Sequence, residues 1–178
     1  MDQPTLYTPR LMLRPFTAVD APAVQRLAGT AAVAEMTLNI PHPYADGMAE
    51  AWIATHQEAW VAGTAVTFAI TTASDGLCGT VSLRITRAHD RGELGYWIGQ
   101  PFWGRGLATE AVTAVLAFAF DTLALHRIQA SHLPRNPASG RVMQKVGMQR
   151  EGLHRGRYRK GSVFEDVEEY AVLRSDRA

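Results

Sequence analysis

The chain has 178 residues, of which 47% are hydrophobic and 20% charged, with a net charge of +1. That length suits one domain, 1–178, and that composition excludes a disordered chain. The longest near-apolar run, Ala111–Phe120, is broken by Thr113, and it falls well short of the roughly 18 residues that a membrane span needs.

In chain order, Met1-Asp2-Gln3-Pro4-Thr5 carries neither a basic nor an apolar leader segment, which predicts a cytoplasmic protein. Leu11–Phe16 reads as a short strand stopped by Pro15. Thr17-Ala18-Val19-Asp20 offers a capping pattern before a helix over Ala23–Ala28. Pro41, Pro43 and Gly47 mark Asn39–Gly47 as a loop. Trp52, Ile53, His56 and Trp60 then recur at helical spacing within Ala49–Val61. Ala65–Ala73 and Leu77–Ile85 flank Ser74-Asp75-Gly76, a hairpin signal. Glu93–Ile98 is a strand closed by Gly99-Gln100-Pro101, and Thr109–Phe120 is an apolar helix. Arg127–Leu133 is a strand, Ala138–Val146 a helix ended by Gly147, and Met148–Arg157 with Val163–Leu173 a last hairpin. The order predicts an α/β layer fold on one mixed sheet.

Chemistry concentrates in Trp103-Gly104-Arg105-Gly106-Leu107-Ala108-Thr109-Glu110, between a strand and a helix. Two glycines let the backbone turn sharply and let a ligand approach. The first N–H groups of the helix lack internal partners, so its start suits an anion such as phosphate. A tight turn without a ligand explains the glycines alone equally well. No Lys-Ser/Thr follows, so this is not a Walker loop, and the spacing is not a dinucleotide fingerprint.

Gly95-Tyr96-Trp97-Ile98 followed by Phe102-Trp103-Gly104-Arg105-Gly106-Leu107-Ala108-Thr109-Glu110-Ala111 resembles the acetyl-CoA motif of the GNAT N-acetyltransferases. The likeness is strongest to the branch of the ribosomal-protein N-terminal acetyltransferases RimJ and RimL. Thr8-Pro9-Arg10-Leu11-Met12-Leu13-Arg14, Asn136-Pro137-Ala138-Ser139, Lys145-Val146-Gly147-Met148 and Glu151-Gly152 extend it over nearly the whole chain. The resemblance implies a three-layer fold with a mixed, mostly antiparallel sheet of about seven strands flanked by helices. It also implies acetyl-CoA as co-substrate, no metal, a primary amine as acceptor and, often, a homodimer. Backbone N–H groups of Gly104, Arg105, Gly106, Leu107, Ala108 and Thr109, beside Trp103, would hold the pyrophosphate. The strand ending at Trp97 and Ile98 would pair with the pantetheine arm and offer an N–H to the thioester oxygen. Asn136 would bond the pantetheine, Ser139 would lie near the sulfur, and Arg135 or Arg141 would meet the 3′-phosphate. Where many relatives carry a tyrosine as proton donor to the leaving thiolate, this chain has Met143, which cannot donate. Protonation must then come from Ser139, water or another residue.

Glu93 stands where several relatives place a carboxylate base, although a strand-end ion pair with Arg91 or Arg84 explains it equally well. Ser139 also fits a helix-start hydroxyl. The dipole alone accounts for Glu110 in the first helical turn, and the histidines show no metal spacing. The single cysteine, Cys78, reads as a small buried strand residue that allows no internal disulfide. Leu125–Gly161 holds nine Arg or Lys against one acid, Glu151, leaving −7 for the remainder. Such a segment suits a solvated surface, phosphate, nucleic acid or an acidic partner. With a phosphate-bearing co-substrate implied, neither nucleic acid nor a membrane is expected as a partner. Four readings remain open: acetylation of a protein or peptide N-terminus (a ribosomal protein among them), acetylation of a small amine, a non-catalytic CoA sensor, and an RNA- or ribosome-binding module that uses the Leu125–Gly161 charge.

Overall fold

Strand pairing in the computed structural model, which describes residues 2–177, follows chain order with one exchange. The sheet runs β1 (Leu6–Tyr7), β2 (Met12–Arg14), β3 (Ala65–Thr72), β4 (Gly76–Thr86), β5 (Arg91–Ile98), β6 (Arg127–His132), β8 (Val163–Leu173), β7 (Gln149–Lys160). Every neighbouring pair is antiparallel except β5 with β6. A parallel step needs a long crossover, and the helix α4 (Leu107–Asp121) lies within it. The sheet has eight strands where about seven were expected. The extra one, β1, is two residues long and is held by pairing Leu6 with Leu13 and Tyr7 with Met12. Two residues are too few to show an alternation in sequence.

Four further helices complete the layers: α1 (Ala21–Ala28), α2 (Ala31–Glu35), α3 (Met48–Val61) and α5 (Pro137–Lys145). The five-residue α2 was not expected; Thr30 caps it by accepting the Val33 N–H. Side chains alternate across a strand, and β3 shows what that does here. Phe68 and Ile70 face α4, where they join Val112, Val115 and Phe118. Ala69, between them, faces α1 and α3 with Val24, Leu27 and Ile53. Both faces of β3 are therefore covered, and even its Thr67 and Thr71 are buried.

The basic stretch after Leu125 is neutralised in part, because acids of β7 and β8 pair with three of its nine Arg and Lys residues. Arg135 pairs with Glu165, Arg150 with Glu168 and His154 with Glu169, while Arg127 meets Glu151. No helix among the described residues is long and apolar enough to cross a membrane.

Gly79, opposite Ile98 in the β4–β5 ladder, has no room for a side chain: a β-carbon would lie 2.2 Å from the Trp97 carbonyl oxygen. Gly79→Ala should therefore lower stability by about 1–3 kcal/mol, measured by urea unfolding. An unchanged midpoint would contradict this packing.

Candidate active site

The site begins where the sheet fails to continue. The strands β5 and β6 pair only through Arg91–Arg127, Gly92–Ile128 and Glu93–Gln129, and then part. On the other side β5 stays paired with β4 up to Ile98, and the Gly99 N–H reaches the Cys78 carbonyl. Alternation along an antiparallel ladder then turns the main-chain groups of Leu94, Tyr96 and Ile98 away from β4, toward the gap. Those of Trp97 point to β4. The Ile98 carbonyl is taken by the Trp103 indole N–H at 2.6 Å, which leaves the Ile98 N–H facing the gap.

At the end of the gap lies the glycine loop. Gly104 and Gly106 adopt φ of +75° and +77°, the left-handed region that side chains resist. Gly106 ends the loop as the N-cap of α4, and the first N–H groups of that helix, from Leu107 to Thr109, have no partner within it. A distant segment fixes this geometry. The Thr8 hydroxyl, the Arg10 backbone N–H and the Arg10 guanidinium all donate to the Glu110 carboxylate, and Arg10 Nη1 donates to the Arg105 carbonyl. Burial pushes the Glu110 carboxyl up, but these hydrogen bonds outweigh it and hold it below its ordinary range. Glu110 is thus more than a complement to the helix dipole: it ties residues 8–10 to the loop. The Arg105 side chain turns away, pairing with Asp75 at 3.0 Å.

Two cavities meet at the gap. The first, of about 460 Å³, is lined by Trp97, Ile98, Trp103, Gly104, Gly106, Leu107, Ala108, Thr109, Asn136, Ser139 and Arg141. Arg105 alone, among the residues assigned to CoA by resemblance, is not in this lining. The second, of about 580 Å³, lies between the sheet and α3 and contains Glu93, Trp52 and His56. Tyr96, Trp97, Asn136 and Ser139 line both.

Glu93 and Ser139 both line the second cavity, but from different elements, β5 and α5. Glu93 sits beside its cross-strand partner Arg84 at 3.6 Å, a largely exposed pair. It is three residues, about 10 Å, from Tyr96 along β5, and on the opposite face. Asn136 caps α5: its Oδ1 accepts the Ser139 N–H at 3.2 Å and its Nδ2 donates to the Met36 carbonyl at 3.1 Å. One amide hydrogen remains for a ligand. Met143 is 1% exposed and belongs to the core, remote in role from any proton transfer.

Three features escaped the sequence. The Tyr96 hydroxyl lies 2.8 Å from Ser139 Oγ and 3.0 Å from the Ser139 carbonyl oxygen. Burial pushes this phenol up to about 12, although the Ser139 bond pulls the other way. Lys145 lines the first cavity one turn beyond Arg141, and neither has an ion-pair partner among the described residues. Their spacing of four was visible in the sequence. Arg135, by contrast, is held by Glu165 and the Glu35 carbonyl. The third is His56, packed edge-on against Trp52 and Phe16 with both ring nitrogens buried and unpartnered. Among the described residues no cluster of three or more His, Cys, Asp or Glu is placed to hold a metal.

The chain belongs to the GNAT acetyltransferases: the acetyltransferase (GNAT) domain family matches residues 10–149. It is 31% identical over 177 residues to "Uncharacterized N-acetyltransferase p20" of Bacillus licheniformis, covering 98% of each chain. It is 44% identical over 112 residues to "Probable N-acetyltransferase YjcK" of Bacillus subtilis, covering 61% of this chain and 62% of that relative, just under two thirds. Its fold matches that of RimL, the ribosomal L7/L12 α-N-protein acetyltransferase, with a TM-score of 0.87 at 18% identity, over 96% of this chain and 98% of that one.

Burial pushes the His56 imidazole down from 6.5 to about 4. Between those values the unfolded chain binds a proton that the folded one refuses, so stability falls as pH drops from about 6.5 to about 4. His56→Leu should flatten the pH dependence of the urea midpoint in that window. An equal slope in the variant would contradict a neutral buried imidazole.

Proposed function

We propose that this enzyme transfers the acetyl group of acetyl-CoA to the free α-amino group of a peptide or protein. One observation carries the reading: the unpaired edge of β5 runs continuously from the positive-φ glycine loop into the cavity beneath α3. A pyrophosphate suits the free N–H groups at the start of α4. The amide-bearing pantetheine arm suits the main-chain groups of Tyr96 and Ile98 as an added strand. Asn136, with one amide hydrogen to spare, donates to that arm. Arg141 and Lys145 take the 3′-phosphate, with Arg135 already committed to Glu165. Trp103 orients the end of β5 through its indole bond, and Arg105 contributes through its backbone.

The chemistry then needs few groups. The thioester oxygen gains negative charge on attack, and a fixed main-chain N–H on the open edge of β5 stabilises it. Ser139 faces the sulfur. Glu93, in the lining of the acceptor cavity, serves the amine through water. Its pairing with Arg84 suits a weakly basic acceptor. An α-amino group titrates near 8 and is partly neutral at pH 7.5, whereas about one lysine in a thousand is. Glu93 is also the one acid among the residues lining the acceptor cavity, a poor match to a polyamine with several charges. Folds similar to this one include enzymes named for a ribosomal protein and for spermidine, so the acceptor is decided by the site and not by the fold.

Three outcomes test this. Peptides with free N-termini should show higher kcat/KM than their N-blocked forms or polyamines, by mass-spectrometric assay; turnover of polyamines alone would replace this acceptor with a small amine. Gly106→Val should raise the acetyl-CoA KM by at least about tenfold, roughly 1.4 kcal/mol, in a variant that melts as a folded protein; unchanged affinity would remove the loop from the site. Arg141→Ala with Lys145→Ala should weaken CoA but leave 3′-dephospho-CoA unaffected by calorimetry. Equal losses for both ligands would contradict the phosphate assignment.

A further inference from the structure

Ser139 is a weak choice for assisting a departing sulfur by itself. An alcohol hydrogen can rotate anywhere, and an isolated serine has nothing to hold it toward one acceptor. The position that carries a tyrosine in many relatives is Met143, locked in the core. Yet Ser139 has a second hydroxyl beside it. Tyr96 arrives from β5, on the same face as Leu94 and Ile98, and its oxygen stands 2.8 Å from Ser139 Oγ at the boundary shared by both cavities.

We infer that Tyr96 is a positioning residue for the leaving group: its hydroxyl donates to Ser139 Oγ and so turns the serine's own hydrogen toward the sulfur. The inference rests on the acetyl-transfer reading. The Tyr96 hydroxyl has one hydrogen and two acceptors within reach, Oγ and the carbonyl oxygen of Ser139 at 3.0 Å. With that hydrogen on the carbonyl, Ser139 donates back to the phenol and has nothing left for a ligand. With it on Oγ, the serine hydrogen is free to point into the first cavity. Negative charge growing on the sulfur selects the second arrangement, because each bond in such a chain polarises the next. The Ser139 backbone N–H is already spent on Asn136, so the hydroxyl is the group that can respond. The phenol, pushed up to about 12 by burial, remains protonated throughout and acts as a fixed donor.

The proton balance requires no further reagent. Attack forms the N–C bond; collapse breaks the C–S bond, and the sulfur keeps the electron pair. The proton lost by the acceptor nitrogen ends on the sulfur through solvent. Tyr96 and Ser139 each end the cycle in the protonation state in which they began it.

Tyr96→Phe removes one oxygen and keeps the ring, so the test can be made on a folded enzyme, checked by its melting temperature. It should lower kcat at least about fivefold, the scale of one lost hydrogen bond, with the acetyl-CoA KM within twofold. In a double-mutant cycle, Tyr96→Phe placed on Ser139→Ala should cost no more than Ser139→Ala alone. A structural role would instead move stability or KM, and an independent catalytic role would give additive losses. Either result overturns the inference, as does a normal kcat for Tyr96→Phe. If wild type binds acetyl-CoA but releases no thiol with any amine, the acetyl-transfer reading fails and this inference fails with it. A normal Tyr96→Phe in an active enzyme removes this inference alone.

Discussion

Everything at this site depends on a ladder left incomplete. Three pairs join β5 to β6, and then the strands part while β5 remains fully bonded to β4. An exposed row of N–H and C=O groups is normally a liability that folded proteins cover. Here the row is flanked by α5 on one side and by the α2 segment on the other, so only a narrow ligand can complete it. Strand geometry thereby offers main-chain groups to the proposed ligand, which explains why few side chains need to be dedicated to it.

The remaining structure holds that gap open and closes its ends. Arg10 and Thr8 grip Glu110, fixing the loop whose glycines adopt positive φ. Asn136 ties α5 to the Met36 carbonyl, and Lys160 on β7 donates to the carbonyls of Ala34 and Thr37. These bonds connect the last hairpin to α2, whose C-terminal side borders both cavities. Positioning of this kind can supply much of the rate of the proposed transfer.

Much of this was legible in the sequence for identifiable reasons. The glycine loop was readable because positive φ leaves a mark in residue type. The hairpin around Ser74-Asp75-Gly76 and the apolar helix after Gly106 were readable because periodicity and turn chemistry are local. What the sequence withheld is nonlocal. Tyr96 lay inside the recognised motif, but only the tertiary packing of α5, 43 positions on, brings Ser139 to it. Glu110 looked like a helix-dipole residue until Arg10, a hundred positions away, came to meet it. The strand β1 and the helix α2 were missed because two and five residues carry no periodicity. The basic stretch gave no sign in sequence of which of its cations are paired, until β8 laid acids beside Arg135 and Arg150.

The central claim is that acetyl-CoA completes the sheet, with its arm bonded to β5. Amide hydrogen exchange by NMR, with and without CoA, reads this directly at Tyr96 and Ile98. The account predicts that these two amides exchange rapidly in the free protein and become strongly protected on CoA binding, while Trp97, already bonded to β4, is protected in both states. CoA that binds tightly yet leaves the Tyr96 and Ile98 amides exchanging as before would contradict it.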